Sequence, residues 1–284
     1  MRPPLRISCL PALALVAACA GGQLGPPGEE PPPGGGGDAT IDTIFAESFE
    51  SGSLATWDDG VNPAHHRIVT DGALARHGSR LLEITYLAGG AGGWLTKFFM
   101  PGHDSLYVRY HLRFDADWES GTKLLLLRGS RTDDQWSSFG VAGECPDGDD
   151  FFATNVVTQG NGDPGPLRFY SYYPGMATEP DGVTCWGRYG SNDAYLSFDP
   201  PSLGEWHVLE FFVRLNRPGQ SDGVQRFWLD GELMAEWTNV VLRTEDVLML
   251  NSITLEGSNS GPAPPKEQYL LVYDILVATG RPTT

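Results

Sequence analysis

Short runs of alternating apolar and polar residues recur along most of the chain, separated by Gly, Pro, Asn and Asp. A period of two is typical of β-strands, because successive side chains point to opposite faces of a sheet. No segment has a convincing apolar period of 3.6 residues, so we expect antiparallel pairing without crossover helices. The pattern predicts an all-β protein, built as a two-sheet antiparallel sandwich or jelly roll. The predicted strands are 44–49, 66–70, 81–86, 94–100, 105–114, 122–128, 151–157, 167–173, 206–215, 224–230, 247–255 and 269–277.

Composition and charge narrow the choice of partners. The 284 residues include 36 Gly and 22 Pro, which suit many turns between short strands. With 19 Lys and Arg against 36 Asp and Glu, the net charge is −17. The long-range field repels polyanions and argues against a nucleic-acid partner, while an acidic ligand would need a local basic patch. We expect a monomer.

Residues 1–18 have the layout of a secretory signal peptide. Arg2 and Arg6 precede an apolar run that is too short to span a bilayer. The run ends in Val16-Ala17-Ala18-Cys19, which resembles a bacterial lipobox, whose cysteine becomes the lipid-modified first residue of the mature protein. Lipid chains on Cys19 would hold the protein at a membrane of the bacterial cell envelope, facing the periplasm or the cell surface. An ordinary signal peptide is the alternative.

A tether and one domain follow this segment. Residues 19–40 are mostly Gly, Pro and small or acidic residues with nothing to bury, which predicts a tether. Residues 41–284 remain as a single domain that contains Cys145 and Cys185. An exported cysteine pair usually forms a disulfide, which here would close a loop of about 40 residues. Neither cysteine has a second Cys or His at ligand spacing, so we expect no metal cofactor.

One acidic loop is a candidate for a structural calcium ion. Asp147, Asp149 and Asp150 stand close together in a segment that contains Gly. Their spacing differs from the helix–loop–helix calcium pattern, and an exposed acidic loop without metal is the alternative.

Cationic and aromatic side chains concentrate on three predicted strands. Alternation puts those of each strand on one face. They are Arg109, His111 and Arg113 on 105–114, Lys123 on 122–128, and Arg168, Tyr170 and Tyr172 on 167–173. A common groove lined by these groups would suit a carboxylated sugar, through charge-assisted hydrogen bonds and ring stacking. The alternative is a solvated outer face with ordinary cross-strand pairs.

Several segments of the chain form a set of motifs. The first three are Gly121-Thr122-Lys123-Leu124-Leu125-Leu126-Leu127, Trp136-Ser137-Ser138 and Arg168-Phe169-Tyr170-Ser171-Tyr172. The later ones are Gly204-Glu205-Trp206-His207, 215–223, Phe227-Trp228-Leu229-Asp230-Gly231 and Tyr273-Asp274-Ile275. Together they resemble segments of family 14 polysaccharide lyases, which include alginate lyases. The resemblance covers roughly 105–277 and implies a concanavalin-A-like β-jelly roll whose concave sheet binds a polysaccharide.

The resemblance also implies residue roles. Lys123, Tyr170 and Tyr172 match catalytic positions of the family, and Ser138 matches a substrate-binding position. The arginine that follows this serine in the family is replaced here by Phe139-Gly140. We expect Arg109 or Arg168 to supply the missing positive charge.

The implied reaction is β-elimination on an acidic polysaccharide such as alginate or a glucuronan. The enzyme removes the proton at C5 of a uronate and expels the O4 leaving group, which requires a cation, a base and an acid but no metal. Lys123 and Arg109 would stabilise the enolate that develops. The base and acid would be Tyr170 and Tyr172 in either order, with His111 as another candidate base.

Further contacts to the sugar are expected from side chains beside these groups. Arg113, Ser138 and Arg168 are candidate substrate-binding residues, and Trp94, Trp118, Trp136 and Trp186 are candidate sugar platforms or buried packing. A second hypothesis is a non-catalytic carbohydrate-binding module of the same fold, similar to lectins or laminin-G domains.

Overall fold

The computed structural model describes residues 41–75, 78–159, 164–190 and 192–282. The predicted signal peptide, the lipidated Cys19 and the tether at 19–40 lie outside these residues. The strands are β1 (Thr43–Glu47), β2 (His66–Thr70), β3 (Arg80–Tyr86), β4 (Trp94–His103), β5 (Ser105–Phe114), β6 (Lys123–Arg131), β7 (Phe152–Thr158), β8 (Leu167–Tyr172), β9 (His207–Arg214), β10 (Gly223–Leu229), β11 (Glu232–Val240), β12 (Leu248–Glu256) and β13 (Gln268–Ala278). A short 3-10 turn at Asn192–Ala194 is the one helical element in the described part of the chain.

Two antiparallel sheets form the fold. One has eight strands, in the order β11-β10-β9-β5-β13-β3-β2 with β1 also paired to β13, and the other has the order β4-β12-β6-β7-β8. The all-β jelly-roll prediction is confirmed. Each of the twelve predicted strands is present, with ends that move by at most three residues.

Strand β11 is the element that the alternation did not predict. It follows the Asp230-Gly231 turn and pairs with β10 at the edge of the larger sheet, where Ala235 also forms an isolated bridge with Tyr195. Its burial pattern is irregular because two register shifts interrupt the β10–β11 ladder. An edge strand with a bulge does not keep one clean apolar face, so its period of two is lost.

The main core lies between the sheets, and its composition follows from the alternation. Leu106, Val108 and Tyr110 of β5 are buried in it, together with Leu125 and Leu127 of β6. Leu126 points the other way and joins a second cluster of buried residues, on the outer face of the five-stranded sheet. The members of this cluster are Leu126, Phe151, Ala153, Tyr172, Met176 and Cys185.

A disulfide closes one side of this outer cluster, as the sequence predicts. Cys145 and Cys185 are bonded, with their Cα atoms 5.0 Å apart. Gly143 pairs with Cys185, and Ser171 of β8 pairs with Arg188, so the segment after Cys185 runs beside the edge of the sheet. The bridge thereby holds two loops over the outer face. No helix in the described ranges has the length and apolar character needed to cross a membrane.

Candidate active site

A cavity of about 150 Å³ opens on the outer face of the five-stranded sheet. Its floor comes from β6, β7, β8 and the end of β12, and one wall comes from the loop that leads to the disulfide. The lining residues are Lys123, Leu126, Arg128, Ser138, Gly140, Val141, Ala142, Ala153, Asn155, Tyr170, Tyr172 and Glu256. Its charged groups are therefore two cations and one carboxylate.

Strand register brings the floor residues together. Leu126 lies opposite Asn155, which lies opposite Tyr170. In the neighbouring row, Arg128 lies opposite Ala153, which lies opposite Tyr172. Residues aligned across a sheet share a face, so these side chains converge although they lie far apart along the chain.

Lys123 stands at the start of β6 with its ammonium between an anion and a ring. Lys123 Nζ is 3.8 Å from Glu256 Oε1 and 5.1 Å from the centre of the Tyr170 ring. The Glu256 carboxylate is itself held, because Ser258 Oγ donates to Oε1 at 2.7 Å and Asn155 Nδ2 donates to Oε2 at 3.1 Å. Lys123 therefore has a defined position in the cavity.

Tyr170 and Tyr172 form a hydroxyl pair on the same face of β8. Their oxygens are 3.5 Å apart. Burial, and then the hydroxyl of Tyr172, raise the pKa of Tyr170 to about 12, although the charge of Lys123 opposes the shift. Tyr170 therefore keeps its proton at neutral pH. Gly187 leaves room for this ring, since a Cβ at that position would come within 2.5 Å of it.

Arg128 supplies the second cation of the cavity. Its guanidinium lies 4.2 Å from the centre of the Phe139 ring and donates to Thr254 Oγ1 at 3.0 Å. Burial lowers the pKa of the guanidinium, and the carboxylates of Glu256 and Asp59 oppose this. The family resemblance expects an arginine at the position of Phe139. In the structure the Phe139 ring instead packs against the guanidinium of Arg128, which comes from β6.

Ser138, a predicted substrate-binding residue, lies in the cavity wall and is almost fully buried. Its Oγ is 2.6 Å from Ser130 Oγ, which in turn donates to the carbonyl of Gln135 at 2.9 Å. Ser138 therefore donates to Ser130 and keeps acceptor capacity on its oxygen.

Arg109, His111 and Arg113 do not share this cavity, so the prediction of one common groove is wrong for them. All three lie on β5 in the eight-stranded sheet and point away from the core. There Arg109 Nη2 and His111 Nδ1 lie 3.6 and 3.7 Å from Asp274 Oδ2. Arg113 Nε donates to the carbonyl of Gly204 at 2.8 Å. Alternation within a strand correctly predicts which of its side chains point away from the core, but it does not predict which sheet the strand joins.

Arg168 also lies outside the cavity, although the sequence predicted that it would share a groove with Tyr170 and Tyr172. It lies on β8 beside Tyr170, yet it does not line the cavity. Its guanidinium is 4.5 Å from the ring centre of Tyr195 and 4.3 Å from that of Phe198. Neither Arg109 nor Arg168 therefore replaces the missing arginine.

The four tryptophans considered as sugar platforms differ in their exposure to solvent. Trp118 is fully buried in the main core, so it is not a sugar platform. Trp94, Trp136 and Trp186 are about half exposed. Trp136 packs on Phe139 with 5.0 Å between ring centres, which places it next to the ring that carries Arg128.

The acidic loop has a structural explanation. Asp150 Oδ1 accepts hydrogen bonds from the backbone N–H groups of Asp147, Gly148 and Phe151. Within the ranges that the structure describes, no three His, Cys, Asp or Glu side chains are grouped as metal ligands, and Asp147, Asp149 and Asp150 form no such group.

Arg128, Asn155 and Glu256 are site residues that the sequence reasoning missed. A signal existed for two of them. Asn155 interrupts the apolar run of β7, and Arg128 ends the apolar run of β6, as Lys123 begins it. Glu256 gave no such signal, because it stands at the end of β12, over a hundred residues from Lys123.

Comparison with known proteins places the chain in a family. Residues 85–275 match the family described as Polysaccharide lyase 14, over more than half of the chain. The protein belongs to polysaccharide lyase family 14. No match was found among curated protein sequences.

Solved structures of lyases share the fold at low sequence identity. Alginate lyase vAL-1 from Chlorella virus is 14% identical, with a TM-score of 0.64 over 84% of this chain and 100% of that one. The PL-14 alginate lyase from Aplysia kurodai is 16% identical, with a TM-score of 0.62 over 84% and 100%. The endo-β-1,4-glucuronan lyase from Trichoderma reesei is 16% identical, with a TM-score of 0.55 over 84% and 96%. At such identities, the similarity concerns the fold.

Proposed function

We propose that this protein is a lyase that cleaves an acidic, uronate-containing polysaccharide by β-elimination. The observation that carries the proposal is the convergence of Lys123, Arg128, Tyr170 and Tyr172 in one cavity. Family membership and the fold shared with alginate and glucuronan lyases support it. The cavity combines cations for a carboxylate with hydroxyls for proton transfer.

The two cations act on the uronate carboxylate. Removal of the C5 proton moves negative charge onto that carboxylate as an enolate develops. Lys123 and Arg128 are fixed in place by a carboxylate and a ring respectively, so they stabilise this charge without reorganisation. Arg128 takes the role that the sequence assigned to Arg109 or Arg168.

The two tyrosines divide the proton transfers. Tyr170 holds its proton through a raised pKa and is the acid, and the oxygen of Tyr172, 3.5 Å away, is the base once its own proton has left. The C5–H bond breaks and its proton passes to Tyr172. The electron pair forms the C4=C5 double bond, and the C4–O4 bond breaks as O4 takes the proton of Tyr170. Transfer of a proton from Tyr172 back to Tyr170, across the 3.5 Å between their oxygens, restores the starting state.

The local charge suits an anionic substrate although the protein as a whole carries −17. Lys123 and Arg128 against Glu256 leave one positive charge in the cavity, enough for one carboxylate. Because the wider field is repulsive, moderate salt should improve association by screening it.

The activity is tested by incubating the purified protein with alginate and with glucuronan while recording the ultraviolet absorbance of the unsaturated product. An increase in absorbance that is lost in K123A, with an unchanged melting temperature, is the expected result. Retained polysaccharide binding without absorbance would instead identify the non-catalytic binding module. Neither binding nor product with any uronate polymer would refute both.

We further propose that lipid on Cys19 anchors the protein to the bacterial cell envelope, with 19–40 as the tether. The lipobox-like Val16-Ala17-Ala18-Cys19 supports this. Metabolic labelling with a fatty acid tests it: the wild type should incorporate the label and C19S should not. A labelled C19S variant, or an unlabelled wild type in the membrane fraction, would refute lipidation at this cysteine.

A further inference from the structure

A carboxylate is an unexpected lining group for a cavity that binds a carboxylated sugar. Glu256 repels the uronate that the cavity is proposed to accept, so its presence reduces affinity for the substrate. Yet it is firmly held, with one hydrogen bond to each of its oxygens from Ser258 and Asn155. A group that costs affinity and is held this firmly needs a role other than binding the sugar.

The Glu256 carboxylate acts on two cations of the cavity, Arg128 and Lys123. Arg128 is already held by the Phe139 ring and by Thr254, so Lys123 is the cation whose position depends on the carboxylate. Lysine is a flexible side chain that carries its charge at the end of four methylene groups. Lys123 Nζ has Glu256 Oε1 at 3.8 Å and the face of Tyr170 at 5.1 Å, and its side chain is 27% exposed. The fixed carboxylate therefore confines the ammonium next to the ring of the proposed acid and keeps it out of bulk solvent.

We propose that Glu256 is a positioning residue that holds the Lys123 ammonium over Tyr170 for catalysis. This inference rests on the proposed lyase function and extends it. Ser258 and Asn155 hold the carboxylate of Glu256, and this carboxylate holds the ammonium of Lys123. The ammonium is thereby kept at one position, where it contacts the carboxylate of the uronate. Glu256 also limits the cavity to one net positive charge, which matches a single carboxylate.

The proposal predicts opposite effects on binding and on turnover. Glu256→Gln keeps the shape of the side chain and one acceptor oxygen, but it removes the charge and replaces the other acceptor oxygen with an NH2 donor. Without that charge the uronate is repelled less, so KM should stay the same or fall. The Lys123 ammonium loses its fixed partner, so kcat should fall by at least tenfold. General destabilisation would not lower kcat and KM together.

A matched control exists on the other sheet. Glu83 of β3 also has a side chain that is 12% exposed, and it is also paired with one cation, Arg67 at 2.7 Å. Glu83→Gln makes the same chemical change in a similar environment away from the cavity. It should lower the melting temperature by an amount similar to that of Glu256→Gln and leave kcat and KM unchanged.

A second measurement does not depend on catalysis. The chain has three lysines, Lys97, Lys123 and Lys266, so acetylation by trace acetic anhydride can be followed at each one by mass spectrometry. An amine released from its ion pair is acetylated faster. Glu256→Gln should raise the rate at Lys123 several-fold, while Lys97 and Lys266, paired with Asp58 and Asp117, serve as internal references.

The outcomes separate this inference from the proposed function. A lower kcat together with faster acetylation of Lys123 supports it, and partial recovery of kcat in Glu256→Asp strengthens it. Unchanged acetylation of Lys123 in Glu256→Gln overturns it, whatever happens to kcat. If the wild type makes no unsaturated product, the lyase function fails, and the acetylation rates still decide whether Glu256 positions Lys123. If Glu256→Gln does not fold, Ser258→Ala, which frees Glu256 Oε1, is tested in the same two ways and judged by the same results.

Discussion

The guanidinium of Arg128 is stacked 4.2 Å above the centre of the Phe139 ring. Phe139 occupies the position at which the family resemblance called for an arginine, yet the cavity still has a second cation because β6 delivers one from another direction. The cavity therefore has two cations, Lys123 and Arg128, without an arginine at position 139. This pair makes Arg128 the residue on which the proposed enolate stabilisation can be tested most directly.

Arg128→Ala should lower kcat by about 10²–10³-fold, the usual loss when one fixed donor to a developing anion is removed. Arg128→Lys should recover only part of this, because an ammonium lacks the planar surface that stacks on Phe139. Steady-state kinetics on the substrate polymer checks both. Full activity in Arg128→Ala would contradict the role of Arg128.

Tyr170→Phe should reduce kcat by at least about 10²-fold, because the leaving oxygen loses its proton donor. In the wild type, the raised pKa of about 12 keeps this donor protonated, so Tyr170 should cause no loss of activity below pH 10. A pH–rate profile checks this. An alkaline loss of activity centred below pH 10 that disappears in Tyr170→Phe would contradict the assignment.

Arg109→Ala and His111→Ala should each leave kcat/KM within about twofold of the wild type. Both residues lie on the eight-stranded sheet, beside Asp274 and away from the cavity. The pair of Arg109 with Asp274 lies at the surface and contributes about 1 kcal/mol or less to stability, so Arg109→Ala should change the melting temperature little. His111→Ala should lower the melting temperature, because it removes a mostly buried ring that is stacked on Tyr273. A large loss of activity in either variant would indicate that the outward face of β5 takes part in catalysis.

His66 should make the protein less stable in acid. Burial, and then the charge of His65, lower the pKa of His66 to about 4, below its ordinary value of 6.5. Between about pH 4 and pH 6.5, the unfolded chain therefore binds a proton at His66, whereas the folded protein does not. The free energy of unfolding should therefore be undiminished by His66 above about pH 6.5. As the pH falls towards 4, protonation of His66 in the unfolded chain should lower it by about 3 kcal/mol.

Urea unfolding of the wild type and His66→Gln at pH 7.5 and pH 4.5 checks this prediction. The wild type should lose more stability between the two values than the variant does. Equal losses would show that His66 is not a source of the acid sensitivity, which would then belong to the paired carboxylates.

The sequence by itself determined the strands, their inward and outward faces, the disulfide and the family. These depend on short-range regularities: a period of two that marks strands, turn residues that end them, and local motifs around Lys123 and Tyr170. Strand β11 was missed because a bulged edge strand lacks that regularity.

Only the tertiary structure decided which outward faces meet. Alternation put Arg109 and Lys123 each on a polar face, but the pairing of β5 with β9 and β13 took Arg109 to the other sheet. The pairing of β12 with β6 brought Glu256 to Lys123, and the loop after β6 brought Phe139 to Arg128. Strand order depends on which apolar faces bury best against each other across the whole chain, and this long-range competition leaves no mark in the spacing of neighbouring residues.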